Sequence, residues 1–257
     1  MSAILLERDG PIASVTLSNP GKLNALDRNM WEQLAGCFIA LSADTAIRCV
    51  VVRGAEGQFA AGADIAEFPA IRSTLEQGIR YHTAAIGEAL AAIGNCRHPT
   101  IAAIEGVCVG GGLEVACACD LRLAATDARF GIPINRLGFA LAPDEMAGLL
   151  QLVGRAVALE MLLEGRLFDA AEALQKGLIT RVADDVPAAA LECAARIVRG
   201  APLAAQMNKL LINRLSAGPI PLSVAEHAAA FAPLGSADYQ EGVQAFLEKR
   251  PPVFRGI

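Results

Sequence analysis

Three consecutive glycines at 110–112 stand just ahead of Glu114 in the stretch GVCVGGGLEVACACD, residues 106–120. Glycines let a backbone come close to another molecule, and a helix opening behind them aims unpaired N–H groups at whatever arrives. That arrangement suits a developing negative charge. A lone glutamate in an otherwise apolar run suits proton transfer, because burial raises its pKa while a helix N-terminus lowers it. The plainer role for Glu114 is that of a first-turn acid stabilised by the helix dipole, worth under ~1 kcal/mol. A second loop, EGQFAAGADI (56–65), carries small residues from Ala60 to Ala63 with Asp64 behind them, again stripping side chains from a stretch of backbone. Two N–H donors from separate loops, converging on one oxygen, would make an oxyanion hole.

Other chemistries find less support. His82, His98 and His227 are not accompanied by a nucleophile motif of the G-x-S-x-G type, which argues against a hydrolase triad. The seven cysteines are odd in number and scattered among apolar residues, as expected of reduced core packing. Cys117 and Cys119 form a C-x-C pair, but i,i+2 residues on a helix do not face each other and no histidine lies nearby, so no metal site is expected. A net charge of −5 argues against a broad nucleic-acid platform and for small molecules or further copies of the chain as partners. No uninterrupted apolar run reaches the ~20 residues of a membrane span, and MSAILLERDG meets charged residues too early for a signal peptide. The expectation is a soluble, cytoplasmic protein with no membrane partner.

The elements that must position these residues are legible in outline. SVTLS (14–18), IRCVVVRG (47–54) and TIAAIEG (100–106) read as buried strands. Residues 27–44, with Asp27 as N-cap, and 74–94 read as helices. From about residue 143 the chain reads as nearly all helix, with one short strand around LITRV (178–182). The fold class is therefore α/β, with a core over 1–200 and a helical C-terminal extension over 201–257.

Six motifs in order, NPGKLNAL (19–26), FAAGADI (59–65), GGGLEVACACD (110–120), ARFGIP (128–133), KGLITRV (176–182) and DYQEGVQAFLEKRPPVFRG (238–256), make the chain resemble the enoyl-CoA hydratase/isomerase (crotonase) superfamily nearly end to end. The resemblance implies a crotonase-like spiral of ββα units and a C-terminal helical region for self-association as a homotrimer or dimer of trimers. It also implies a coenzyme A thioester as substrate and no separate cofactor. Carried over residue by residue, the oxyanion hole falls on the N–H groups of Ala61 and Gly111, with Glu114 as the catalytic acid/base. Ala63, Asp64 and Ile65 would line the acyl-thioester and pantetheine path. Lys22 and Leu26 would lie at the nucleotide end, and Phe246 and Lys249 would close over the adenine, often from a neighbouring subunit.

One feature departs from the family. Its second catalytic glutamate falls, by ungapped counting, on Ile134, which cannot hydrogen-bond water. Asp144 and Glu145 offer a replacement acid, although Pro143 followed by two acids is also a favoured helix start. The sequence thus supports an acyl-CoA lyase or isomerase that works through a thioester enolate on one glutamate. The alternative is an acyl-CoA-binding protein of the same fold with little or no hydratase activity.

Overall fold

The computed structural model describes residues 1–216 and 223–257. The chain opens with an antiparallel hairpin, β1 (Ala3–Asp9) and β2 (Ile12–Ser18), that periodicity shows only in its second strand. Helix α1 (Arg28–Ala43) follows, and the Asp27 carboxylate caps it as expected, accepting the Met30 N–H at 2.8 Å. Next come β3 (Cys49–Gly54), the short α2 (Phe68–Ile71) and α3 (Leu75–Arg80), and α4 (Glu88–Gly94). Strands β4 (Thr100–Ile104) and β5 (Val107–Val109) lead into α5 (Gly111–Ala118), and β6 (Leu121–Ala125) and β7 (Arg129–Gly131) into α6 (Pro143–Glu164). The remainder is β8 (Phe168–Asp169), α7 (Ala170–Gln175), β9 (Arg181–Ala183), α8 (Val186–Val198), α9 (Pro202–Ser216), α10 (Val224–Phe231) and α11 (Ala237–Glu248).

Six strands form one sheet in the order β1-β2-β3-β4-β6-β9, parallel except for the opening hairpin, while β5, β7 and β8 form a second. Strand periodicity of two divides the larger sheet between two cores. Val50, Val52, Ala102, Ile104 and Ala124 join the main core with Trp31, Phe38 and Leu113. Cys49, Val51, Ile101, Ala103 and Leu123 face the other way, onto Val186, Ala190, Cys193 and Ala194 of α8. Burial on both faces is why these strands read as continuous apolar runs rather than alternating ones. Each large side chain so buried contributes about 1.5–3 kcal/mol.

Several elements differ from expectation. The helix read over 74–94 is α3 and α4 joined by a π-helical stretch, Tyr81–Gly87, whose wider turns bury Tyr81, His82, Ala85 and Ile86 together. The strand read at 178–182 lies at Arg181–Ala183, while Leu178 and Ile179 serve as core residues ahead of it. Helix α6 is, by length and composition, apolar enough to cross a membrane, against the expectation for this chain. It is not one straight rod, however: Gly154, at φ 71° and ψ 173°, breaks it into two arms, each shorter than a bilayer span.

Helix α5 is held firmly at its C-terminal end. The buried Arg122 guanidinium donates to the carbonyls of Ala116 (3.4 Å) and Cys119 (2.5 Å), and its Nε to that of Leu178 (2.8 Å). A cation at the negative end of the helix dipole satisfies carbonyls that the helix itself cannot. Cys117 and Cys119 pack beside it, and burial pushes both thiols up to about 12. They are inert core residues.

Candidate active site

The two glycine-bearing loops meet. Ala60 bridges to Cys108, donating to the Val107 carbonyl at 2.9 Å and accepting from the Val109 N–H at 3.0 Å. Gly62 adopts φ 101°, and a Cβ there would stand 3.1 Å from the Val109 carbonyl oxygen. A Cβ on Gly111 would stand 2.9 Å from the Trp31 ring and 3.5 Å from the Ala63 nitrogen. Only glycine permits this approach.

Hydrogen bonding decides which N–H groups face the gap, and it corrects one expectation. The Ala61 N–H is already spent on the Leu23 carbonyl at 2.9 Å. Leu26 pairs in parallel with Ala63: its own N–H donates to the Gly62 carbonyl at 2.7 Å, and its carbonyl accepts from the Asp64 N–H at 2.8 Å. In that pattern the N–H of Ala63 points away from Leu26, toward Gly111. Gly111, first residue of α5, has an N–H without an intrahelical acceptor. The converging donors are therefore Ala63 and Gly111, and Ala61 contributes cavity wall.

Below them lies a cavity of about 250 Å³ walled by both loops, by Ile65, Ile86, Ile132, Pro133 and Ile134, and by Tyr81, His82, Glu114 and Glu145. Glu114 projects into it from the first turn of α5 and is buried. Burial, and then the negative charge of Glu145, hold its carboxyl well above the usual carboxylate range. Glu145 is 3% exposed and accepts a 2.5 Å hydrogen bond from His82 Nδ1. The other ring nitrogen, Nε2, is buried without a partner among the described residues. The ring itself is fixed, stacked on Phe139 (5.1 Å between centroids) and edge-on to Tyr81 (5.2 Å).

Helix α6 does begin at Pro143 with Asp144 and Glu145 in its first turn, but the two acids part company. Glu145 enters the cavity, whereas Asp144 packs near Gly87, its Oδ2 3.6 Å from where a Cβ would be. Ile134 forms apolar wall where the family pattern would place an acid. His82 was not read from the sequence as a site residue. Its one signal was a histidine in an apolar helical stretch, which has many structural explanations.

The remaining predicted residues divide by location. Ala63 and Ile65 line the cavity. Asp64 does not; it caps the 3₁₀ turn Ile65–Glu67 and pairs with Lys22 at 2.5 Å. Leu26 is completely buried, so it holds the 60s loop in place rather than meeting a nucleotide with its side chain. Phe246 and Lys249, on and just after α11, lie outside the Glu114 cavity, and the single chain does not bring them to it.

This cavity, with paired N–H donors above two buried carboxyl groups, sits in a chain with extensive likeness to known proteins. The Enoyl-CoA hydratase/isomerase family model matches residues 7–256. A "Probable enoyl-CoA hydratase" of Bacillus subtilis is 36% identical over the full length of both chains, and one of Mycobacterium tuberculosis is 36% identical over 98% of this chain and 97% of its own. A crystal structure of an enoyl-CoA hydratase/carnithine racemase from Magnetospirillum magneticum superposes with a TM-score of 0.96 at 46% identity, covering 100% of this chain and 97% of the other. Sequence, fold and end-to-end coverage agree: the chain belongs to the enoyl-CoA hydratase/isomerase family.

Proposed function

We propose that the protein hydrates 2-enoyl-CoA thioesters through an enolate whose oxygen is held by the N–H groups of Ala63 and Gly111. Glu145, oriented by His82, takes a proton from water as the water oxygen bonds to C3. The C2–C3 electron pair moves onto the thioester, building the oxyanion, and each preorganised donor there is worth about 3 kcal/mol. Glu114, whose pKa is raised by burial and by the charge of Glu145, delivers its proton to C2. Atoms balance as the elements of water added across one double bond, and the two glutamates have exchanged protonation states. The chemistry is proton transfer alone and calls for no separate cofactor.

The observation that carries this reading is that Glu114 and Glu145 share one cavity closely enough for the charge of one to raise the pKa of the other. Ile134 removes an acid from one wall, and α6 supplies one from another. Double-bond migration through the same enolate uses the same groups, and α-proton exchange reports both reactions. The test is incubation of wild-type enzyme and of the Glu114→Gln and Glu145→Gln variants with saturated and 2-enoyl-CoAs in D2O, read by mass spectrometry. The wild type is expected to add water and exchange α-protons, with each variant about 10² or more slower and still binding acyl-CoA. Tight acyl-CoA binding with neither reaction in the wild type would favour the alternative, an acyl-CoA-binding protein without turnover.

A further inference from the structure

Arg72 is held in an unusual way for a cation at the wall of an apolar cavity. Its guanidinium carbon lies 4.4 Å from the centroid of the Phe68 ring and 4.2 Å from that of Phe139. Among the described residues no carboxylate or carbonyl takes its N–H groups, and the other arginines without such a partner are all exposed, whereas Arg72 is half-buried. Phe139 in turn stacks on His82, the partner of Glu145, so one ring touches both Arg72 and His82. Contact with two aromatic rings uses none of the guanidinium's N–H groups, so the fork of donors is left unspent among the described residues. That fork matches a carboxylate bidentately.

Building on the acyl-CoA reading above, we infer that Arg72 recognises a carboxylate at the far end of the acyl chain, so that the substrate class is the CoA mono-thioester of a short dicarboxylic acid. Charge makes the assignment specific. An anionic tail would be repelled from a cavity that already holds two carboxyl groups, and Arg72, with the exposed Arg136 at the same cavity, supplies the opposing charge. The other anion on such a substrate is the phosphate of coenzyme A. The pantetheine arm separates those phosphates from the thioester, whereas Arg72 lines the same cavity as Glu114 and Glu145, the groups that act on C2 and C3. The location favours the tail.

Matched pairs of equal carbon number test this: hex-2-enedioyl-CoA against hex-2-enoyl-CoA for turnover, and adipyl-CoA against hexanoyl-CoA for binding by calorimetry. Wild-type enzyme is expected to favour the carboxylated member of each pair by about 10- to 100-fold, the range of one charge-assisted hydrogen-bonded contact. Arg72→Met should abolish the preference, with the loss falling on KM and Kd of the carboxylated member rather than on its kcat. Arg72→Lys, which keeps the charge and loses the fork, should restore only part of it. Equal or better use of the neutral member by the wild type would overturn the inference while leaving the hydratase reading intact. A rise in KM for both members in Arg72→Met would assign Arg72 to a CoA phosphate and also overturn it. Absence of both binding and turnover for every thioester would sink the two readings together.

Discussion

A carboxyl group that is buried beside a second carboxylate releases its proton late, and Glu114 is such a group. If it acts as the proton donor to C2, activity is present while it is protonated and falls as pH rises through its raised pKa. Glu145→Gln removes the neighbouring negative charge, which eases ionisation of Glu114 and moves that titration to lower pH. Infrared difference spectroscopy should show a protonated-carboxyl C=O band above the usual carboxylate range, absent in Glu114→Gln and titrating earlier in Glu145→Gln. A band unmoved by Glu145→Gln would mean that burial alone sets the shift. Glycine matters at the same scale. Gly111→Ala would press a methyl group on the Trp31 ring and crowd the Ala63 nitrogen, and loss of a working donor there should cost about 10²–10³ in kcat. Ordinary steady-state kinetics on folded variant protein would check it, and wild-type turnover would remove Gly111 from the oxyanion site.

Three helical elements bring the site together, and two of them depart from regular geometry. Helix α5 starts on glycines and ends on the Arg122 clamp; the π-helical stretch turns Tyr81 and His82 inward side by side; α6 bends at Gly154. The bend is a property of the glycine, since φ 71° with ψ 173° is a region that other residues scarcely enter, at about 1–3 kcal/mol when forced. Among the described residues nothing lies within 4 Å of a Cβ built there, so Gly154→Ala adds no clash with them and its cost is conformational. Its Tm should fall by about 2–4 °C for each kcal/mol at this chain size, measured by calorimetry. An unchanged Tm would show that packing, rather than glycine, sets the angle between the arms. The helix caps and buried strands were visible in the sequence because they depend on neighbours a few residues away. The π-helical widening was not, because it shares the apolar pattern of an ordinary helix.

As a whole molecule the single chain leaves much apolar surface uncovered. Leu163 is 73% exposed on α6, and Phe246 and Leu247 are 82% and 71% exposed on α11. Clusters of this kind mark surfaces that pack on another protein. We expect self-association through the C-terminal helices, as a trimer or a dimer of trimers, with light scattering at micromolar concentration as the measurement. Phe246→Asp should shift the population toward monomer. A wild-type monomer that still turns over acyl-CoA would reject this assembly and also the closure of a neighbour's Phe246 and Lys249 over the ligand.

What the sequence determined by itself was local: two loops stripped of side chains, a helix opening on glycine, an acid in its first turn, and core strands apolar on both faces. These follow from φ/ψ freedom, capping and burial, which are written in a few adjacent residues. The tertiary structure decided what depends on distant partners. Which loop N–H stays unspent turns on the Leu23 carbonyl, which takes that of Ala61 and leaves Ala63 to face Gly111. Which of the two acids at the start of α6 enters the cavity is likewise a matter of the fold: Glu145 does, and it meets His82, 63 residues away in the chain and 2.5 Å from it in the structure. A hydrogen bond uses up a donor wherever its acceptor comes from, and a buried charge takes its pKa from whatever lies beside it. Neither quantity exists until the chain has closed on itself.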